Sequence, residues 1–281
     1  MIASSQKTVF ICGGDELASA TAVKLFNSGF DVLLAASDDE NLLRYHLCMG
    51  DTLISGQKTI ENATATLLSD DILGDPGLKS PEVKFTKAVY YAFRDRRIPV
   101  IHLSELAQAI SFISPGIIIN FYSKRISPVS IDDAPLVIGM YPLHKPGVDS
   151  HVVIDARLSY FIGRVYTPNC PIPDDDQSQR FFHQPFAYCQ SPVGGCWLAL
   201  KNIGDAIAYS EALGKIEGIE IRSPHDGQIW GMTHSGKMIE PRSKIAMIFQ
   251  GKPTPQFRYL GFKENTIAGG ILEAILQYAL V

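Results

Sequence analysis

The chain has 281 residues, with 25 Lys plus Arg against 29 Asp plus Glu, a formal net charge of −4, and 46% hydrophobic and 19% charged residues. This balance excludes disorder, collagen and coiled coil, and at roughly 100–200 residues per domain the length predicts about two domains with cores of their own. A slightly acidic chain without a long basic run is not built as a nucleic-acid binder, because affinity for phosphate backbones rests on clustered Lys and Arg.

The opening stretch MIASSQKTVFICGG has neither the apolar length of a membrane span nor the charged-then-apolar order of a signal peptide, which predicts a cytoplasmic protein with no membrane partner. Five cysteines, an odd set without CxxC, read as reduced thiols. Cys12 is either a thiol tuned by the glycine turn beside it or a small packing residue.

Residues 1–125 are predicted to form a Rossmann-like domain. Thr8 to Cys12 is an apolar run that breaks at Gly13-Gly14. From Glu16 to Ser28, the positions Leu17, Ala18, Thr21, Ala22, Leu25 and Phe26 give a one-faced helix ended by Gly29. Further strands are predicted at Asp31 to Ala36, Ile98 to Leu103 and Gly116 to Phe121, with a helix from Pro81 to Arg96, and this alternation predicts a mostly parallel sheet. The turn GGDELA sits where a dinucleotide fingerprint would, but Asp15 takes the place of its second glycine. A carboxylate there repels a pyrophosphate, so ordinary NAD binding is disfavoured. Asp38 is either a ribose partner or a solvated loop acid.

Residues 126–186 read as a β-rich middle segment. In an extended stretch, Asp149, His151, Asp155 and Arg157 share one side with Val153 while Ser150, Val152, Ile154 and Ala156 share the other. The first set suits a metal, a phosphate or a polar ring, or is a charged solvent face. Asp149 and His151 are the catalytic candidates. As two ligands they fall short of a zinc or iron site, so no metal is expected. PIPDDDQSQ, Pro171 to Gln179, lacks the calcium-loop spacing and reads as an acidic loop.

Residues 187–250 carry a repeat. A shift of 32 places Ser191, Pro192, Gly195, Gly204, Ile207 and Ile216 on Ser223, Pro224, Gly227, Gly236, Ile239 and Ile248. Turn residues recurring between short strands look like the interlocked halves of a biotinyl/lipoyl-type barrel-sandwich. The turn between halves reads GKIEGIE, with Lys215 displaced and no Met beside it, so no covalent biotin or lipoate is expected. Residues 251–281 are a linker and a closing helix, capped by Asn265 or Thr266, with Ile271, Leu272, Ile275, Leu276, Ala279 and Leu280 as its apolar face. Gly269 and Gly270 would admit a close backbone or ligand.

Taken in order, GGDELASA, LLRYHLCMGDTLISG, a KR-containing strand end, IDDAPLVIG, GVDSHVVID followed by GR, SPHDGQI and GGILEAIL make the chain resemble the YqeB-type proteins. These are accessory proteins of the selenium-dependent molybdenum hydroxylase system, related to xanthine dehydrogenase maturation factors. The resemblance covers nearly the whole chain, and its middle block is the most specific part. It implies an accessory or maturation factor for a molybdenum hydroxylase, with a molybdopterin-type cofactor or a nucleotide as the ligand class. Its partners would be the apo-hydroxylase or other maturation proteins, and self-association is compatible with it.

Gly13, Gly14, Asp15, Glu16, His102, Lys124 and Arg125 all fall at carboxyl ends of predicted strands, where open α/β sheets gather ligands. Gly13 to Glu16 with Lys124 and Arg125 are the predicted ligand-binding set, the two cations neutralising a phosphate or carboxylate. The sequence predicts that these meet the Asp149/His151 ribbon in one concave polar pocket. Two alternatives stand beside it: an NAD-linked oxidoreductase using His151 as acid/base, and a non-catalytic docking scaffold.

Overall fold

A computed structural model describes residues 7–68, 80–123, 125–126, 129–174 and 185–279. The chain divides into two units, one made of 1–40, 49–182 and 261–281, the other of 41–48 and 183–260.

The first unit is mixed α/β. Its elements are β1 (Thr8–Cys12), α1 (Glu16–Asn27), β2 (Asp31–Ala36), α2 (Thr52–Ser55), β3 (Gln57–Ile60), β4 (Ala63–Leu67), α3 (Pro81–Arg94), β5 (Ile98–His102), α4 (Leu106–Ile113), β6 (Ile117–Asn120), β7 (Leu136–Tyr141), β8 (Val152–Asp155), β9 (Val165–Tyr166) and α5 (Phe262–Ala279). The strands form one sheet in the order β3-β4-β5-β2-β1-β6-β7-β8-β9. The β3/β4 and β8/β9 pairs are antiparallel and the rest parallel. Central strands are buried along nearly their whole length rather than alternately, as parallel strands covered on both faces must be. Phe10, Cys12, Leu33, Ile101, Ile118 and Val137 form a core with Phe85, Val89, Leu106 and Ala109 of α3 and α4. Cys12 is wholly buried there, so packing accounts for it.

Residues 126–186, read from sequence as a separate middle segment, supply β7, β8 and β9 to this same sheet. The helix predicted from Pro81 stops at Arg94, where Asp95 caps it and Arg96 turns to φ +53°. In α5, Asn265 and Thr266 lie inside the helix, their side chains donating to the carbonyls of Gly261 and Phe262. The buried face of α5 is Ile267, Ala268, Ile271, Ala274 and Ile275, while Leu276 is exposed and Leu280 lies outside the described residues. Its Gly270 lies against Gly163, where an added Cβ would sit 1.9 Å from the Gly163 carbonyl oxygen.

The second unit contains β10 (Phe186–Gln190), β11 (Gly195–Ala199), β12 (Ala206–Ile207), β13 (Ala212–Ile216), β14 (Ile219–Arg222), β15 (Gly227–Met232), β16 (Met238–Ile239) and β17 (Lys244–Phe249). They form two four-stranded antiparallel sheets, β10-β17-β15-β12 and β14-β13-β11-β16. The 32-residue shift carries β10 to β13 onto β14 to β17, and turns the strand order of one sheet into that of the other. The hydrogen bonds repeat as well. Gly204 N–H donates to Ile229 and Gly236 N–H to Trp197, while Ser210 donates to Ser223 and Arg242 to Ser191. The tip between the halves is Glu217-Gly218, and Lys215 sits within β13, paired with Glu220 at 3.7 Å.

Residues 41–48 complete this second unit as a strap. Leu43 accepts from Met232 N–H at 2.6 Å, Asn41 donates to the Lys244 carbonyl at 2.6 Å, and Arg44 donates to the Tyr259 carbonyl at 2.9 Å. The Tyr45 ring stacks on His234 at 3.7 Å between centroids.

Candidate functional site

The glycine turn after β1 is closed by the chain itself. Gly13 has φ +150°, and a Cβ on Gly14 would lie 2.6 Å from Glu40 Oε2 and 2.8 Å from Gly50 Cα, so the glycines admit protein atoms. Gly50 N–H donates to the Gly14 carbonyl at 2.9 Å. Asp15 caps α1, its Oδ1 accepting from Leu17 and Ala18 N–H at 3.0 Å each. Glu40 Oε1 accepts from Gly14 N–H at 3.3 Å, and its Oε2 accepts the Tyr122 hydroxyl at 2.8 Å. That hydroxyl in turn accepts from Ser37 N–H at 3.0 Å. Two internal carboxylates therefore hold donors that a pyrophosphate would use in a dinucleotide fold.

The electrostatics follow from this enclosure. Removal from water pushes the Glu40 carboxyl up to about 7, helped by the nearby Asp15 charge and opposed by hydrogen bonds from Tyr122, Gly14 and Ser37. Burial raises Asp15 too, against the helix N–H groups that favour its charged form. The Tyr122 phenol is pushed up by burial and by Glu40. Glu40 is thus a carboxyl able to gain or lose a proton near neutral pH.

Beside this cluster, at the carboxyl ends of β2 and β5, lies a groove of about 420 Å³ lined by Ser37, Asp38, Asp39, Leu103, Ser104, Ala107 and Ile126. The β2/β5 register sets Ala36 against His102, bringing Asp38 Oδ2 to His102 Nδ1 at 2.9 Å. The pair is open to solvent, with side chains 67% and 40% exposed, so it orients more than it stabilises. Glu105 accepts from His102 N–H at 2.9 Å and fixes the start of the following turn.

Of the predicted ligand set, Gly13, Gly14 and Asp15 come together with Glu40, and Glu16 begins α1 beside them. Arg125 is exposed next to Ile126 of the groove, and Lys124 lies outside the described residues. Sequence reasoning missed Glu40, Tyr122, Ser37 and Ser104. The available signal was position: each lies within four residues of the carboxyl end of a parallel strand.

Asp149 and His151 do not join them. Only Val152–Asp155 pairs as a strand. Asp149 lies in a turn, with Gly147 at φ +75°, and accepts from Lys145 N–H at 2.8 Å. His151 faces the start of β7, its Nδ1 accepting from Val137 N–H at 3.0 Å. Strand register sets Cys12 level with Asn120, Gly139 and Val153. His151 is therefore roughly 10 Å back along the strands and roughly 14 Å across them from the glycine turn. The single pocket expected from sequence is corrected to two separate sheet edges, because Gly13 follows the end of β1 whereas His151 precedes the start of β8. Nor do Asp155 and Arg157 form an open charged face. Asp155 is fully buried, with Oδ1 3.0 Å from Arg157 Nε, Oδ2 2.7 Å from Arg157 Nη2 and the Tyr166 hydroxyl donating to it at 3.1 Å.

No protein-family model matches the chain. It is similar to the uncharacterized protein YqeB of Escherichia coli (strain K12), 22% identical over 276 residues, covering 98% of this chain and 48% of that protein. The chain thus spans about half the length of this curated relative. Two solved structures, an aspartoacylase family protein from Mesorhizobium loti and the ectoine utilization protein EutE from Ruegeria pomeroyi, each match at 11% identity and a TM-score of 0.24, over 86% of this chain and 84% of theirs. At that score neither bears on fold or chemistry.

Proposed function

We propose that this protein is an accessory factor in the maturation of selenium-dependent molybdenum hydroxylases, and that it holds a pterin-type cofactor in the groove at the carboxyl ends of β2 and β5. The observation that supports this reading is the division of labour at these strand ends. Asp15 and Glu40 take the turn's anion-binding donors, while Asp38 and Asp39 line an open groove beside it. A carboxylate pairs with two parallel N–H groups, the pattern that the amino-oxo edge of a pterin presents. Arg125, exposed beside Ile126, would neutralise the cofactor's phosphate. The similarity to the uncharacterized protein YqeB runs over 98% of the chain and accords with the YqeB-type resemblance from which the accessory role is taken.

An NAD-linked oxidoreductase is less well supported, since its pyrophosphate would have to displace Asp15 and Glu40, and Asp149 and His151 stand at the other sheet edge. Docking of the apo-hydroxylase is the second reading, favoured by Leu198 and Met238, 54% and 69% exposed on the sheet β14-β13-β11-β16.

Calorimetry with neopterin phosphate, GMP and NAD tests the groove. Saturable heat is expected with the pterin, weakened at least about tenfold in Asp38→Ala/Asp39→Ala, and no heat with NAD. Absence of pterin binding, with the apo-hydroxylase still captured by the protein, would leave only the docking reading.

A further inference from the structure

A second concave surface lies at the amino-terminal edge of the sheet, apart from the groove discussed above. It is a cleft of about 710 Å³, walled by Ile110, Ser111 and Ser114 at the end of α4, by Asp132 and Asp133 in the turn before β7, and by His151 at the entry to β8. We propose that this cleft binds a small organic cation that also carries a hydrogen-bond acceptor.

Three features carry the proposal. First, His151 is oriented. Its Nδ1 accepts the Val137 N–H at 3.0 Å, so in the neutral ring the hydrogen sits on Nε2, making that nitrogen a donor. Tyr278 of α5 lies beside the ring, with centroids 6.4 Å apart and planes tilted by 53°, and its hydroxyl donates to the Pro135 carbonyl at 2.6 Å. Second, the charges are of one sign. Asp132 is exposed on the wall, and Asp133 is fixed by accepting the Ser130 N–H through Oδ2 at 2.7 Å, which keeps its carboxylate in place. No Lys or Arg is among the described residues lining the cleft. Third, α4 ends here, with Ser114 in the left-handed conformation at φ +51°, so the negative end of the helix dipole reaches the same space. The ammonium of the ligand is held by Asp132, Asp133 and the helix end, and its acceptor by His151.

The probe is 4-aminobutanamide, which carries both groups. Butanamide lacks the charge, butylamine lacks the acceptor, and butyrate reverses the charge. Chemical shifts of the His151 imidazole and of the Ser114 and Gly116 amides are followed in the full chain. Saturable shifts are expected with 4-aminobutanamide, at least tenfold weaker with butanamide and absent with butyrate. Asp132→Asn/Asp133→Asn, which leaves an oxygen to accept from Ser130, should weaken the probe at least tenfold. In His151→Phe the probe and butylamine should bind equally. The proposal is overturned by an equal response to butyrate, by no saturable shift in the folded protein, or by full affinity in the Asn double variant. Unchanged amide dispersion establishes that each variant is folded, and a negative result leaves the pterin groove untouched.

Discussion

Glu40 is the residue on which the strand-end chemistry turns. Its carboxyl is raised from its ordinary value of 4.5 to about 7 by burial and by Asp15. A folded-state value above the unfolded one means that the native protein holds a proton which the unfolded chain has lost between those two pH values. Stability contributed by this group is therefore fully present below about pH 4.5 and declines as pH rises towards 7, by at most about 3 kcal/mol. Glu40→Gln keeps the shape and the acceptor for Gly14, and places its NH2 where Oε2 stood, donating to the Tyr122 oxygen as a protonated carboxyl would. The expected outcome is a variant more stable than the parent at pH 8, with the slope of stability between pH 5 and 7 flattened, read from urea unfolding at a series of pH values. An unchanged slope would show that Glu40 is not the titrating group. None of this was legible in the string AASDDE. Of its three acids only Glu40 is enclosed, and that depends on Gly50 and Tyr122, which arrive from elsewhere in the chain.

At the scale of elements, the first strands and helix were legible because each carries a local signal. β1, α1 and β2 begin and end at glycines or polar residues, and their apolar spacing matches their burial. The strand β8 misled because the alternation of charges around it resembles a solvent face, whereas Asp155 is buried through its pairing with Arg157 and Tyr166. In α5 the two adjacent glycines separate cleanly. A methyl group on Gly270 meets the Gly163 backbone, so Gly270→Ala should lower stability by roughly 1–3 kcal/mol or more through overpacking. Nothing lies within 4 Å of the methyl position on Gly269, so Gly269→Ala should raise stability by up to about 1 kcal/mol through helix propensity. Thermal melts of the two variants are expected to move in opposite directions. A melt that moved the same way in both would contradict the α5 register. The 32-residue repeat was the most informative element-level signal, since it is written in turn residues whose backbone roles recur: Gly204 and Gly236 have φ +97° and +89°, and Ser210 and Arg242 have φ +63° and +66°.

For the whole molecule, the sequence gives no local sign that residues 41–48 belong with 183–260, because the strap uses main-chain and stacking contacts that no periodicity announces. Both tryptophans, Trp197 and Trp230, lie in that second unit, so their emission reports on it selectively. Replacing residues 41–48 by a Gly-Ser segment of equal length removes the partners of Met232, Thr233 and Lys244, and the cation over the Trp230 ring. The expected outcome is a tryptophan emission shifted to the red and a lower unfolding midpoint by that probe. An emission spectrum and midpoint equal to the parent's would show that the strap is dispensable. The boundary drawn from sequence at residue 125 is not there: the buried parallel strands β6 and β7 on either side of it pair in one sheet.

The strap also has a consequence for how the chain is made. Synthesis runs from residue 41 onward at about 5–20 residues per second, so the strap leaves the ribosome roughly ten to forty seconds before the strands that receive it. During that interval its apolar and aromatic groups have no native seat, and α1 likewise waits for α5, which follows every other described element in the chain. Both units thus close only once residues far along the chain have been made, so loss of either late segment unseats an element made early.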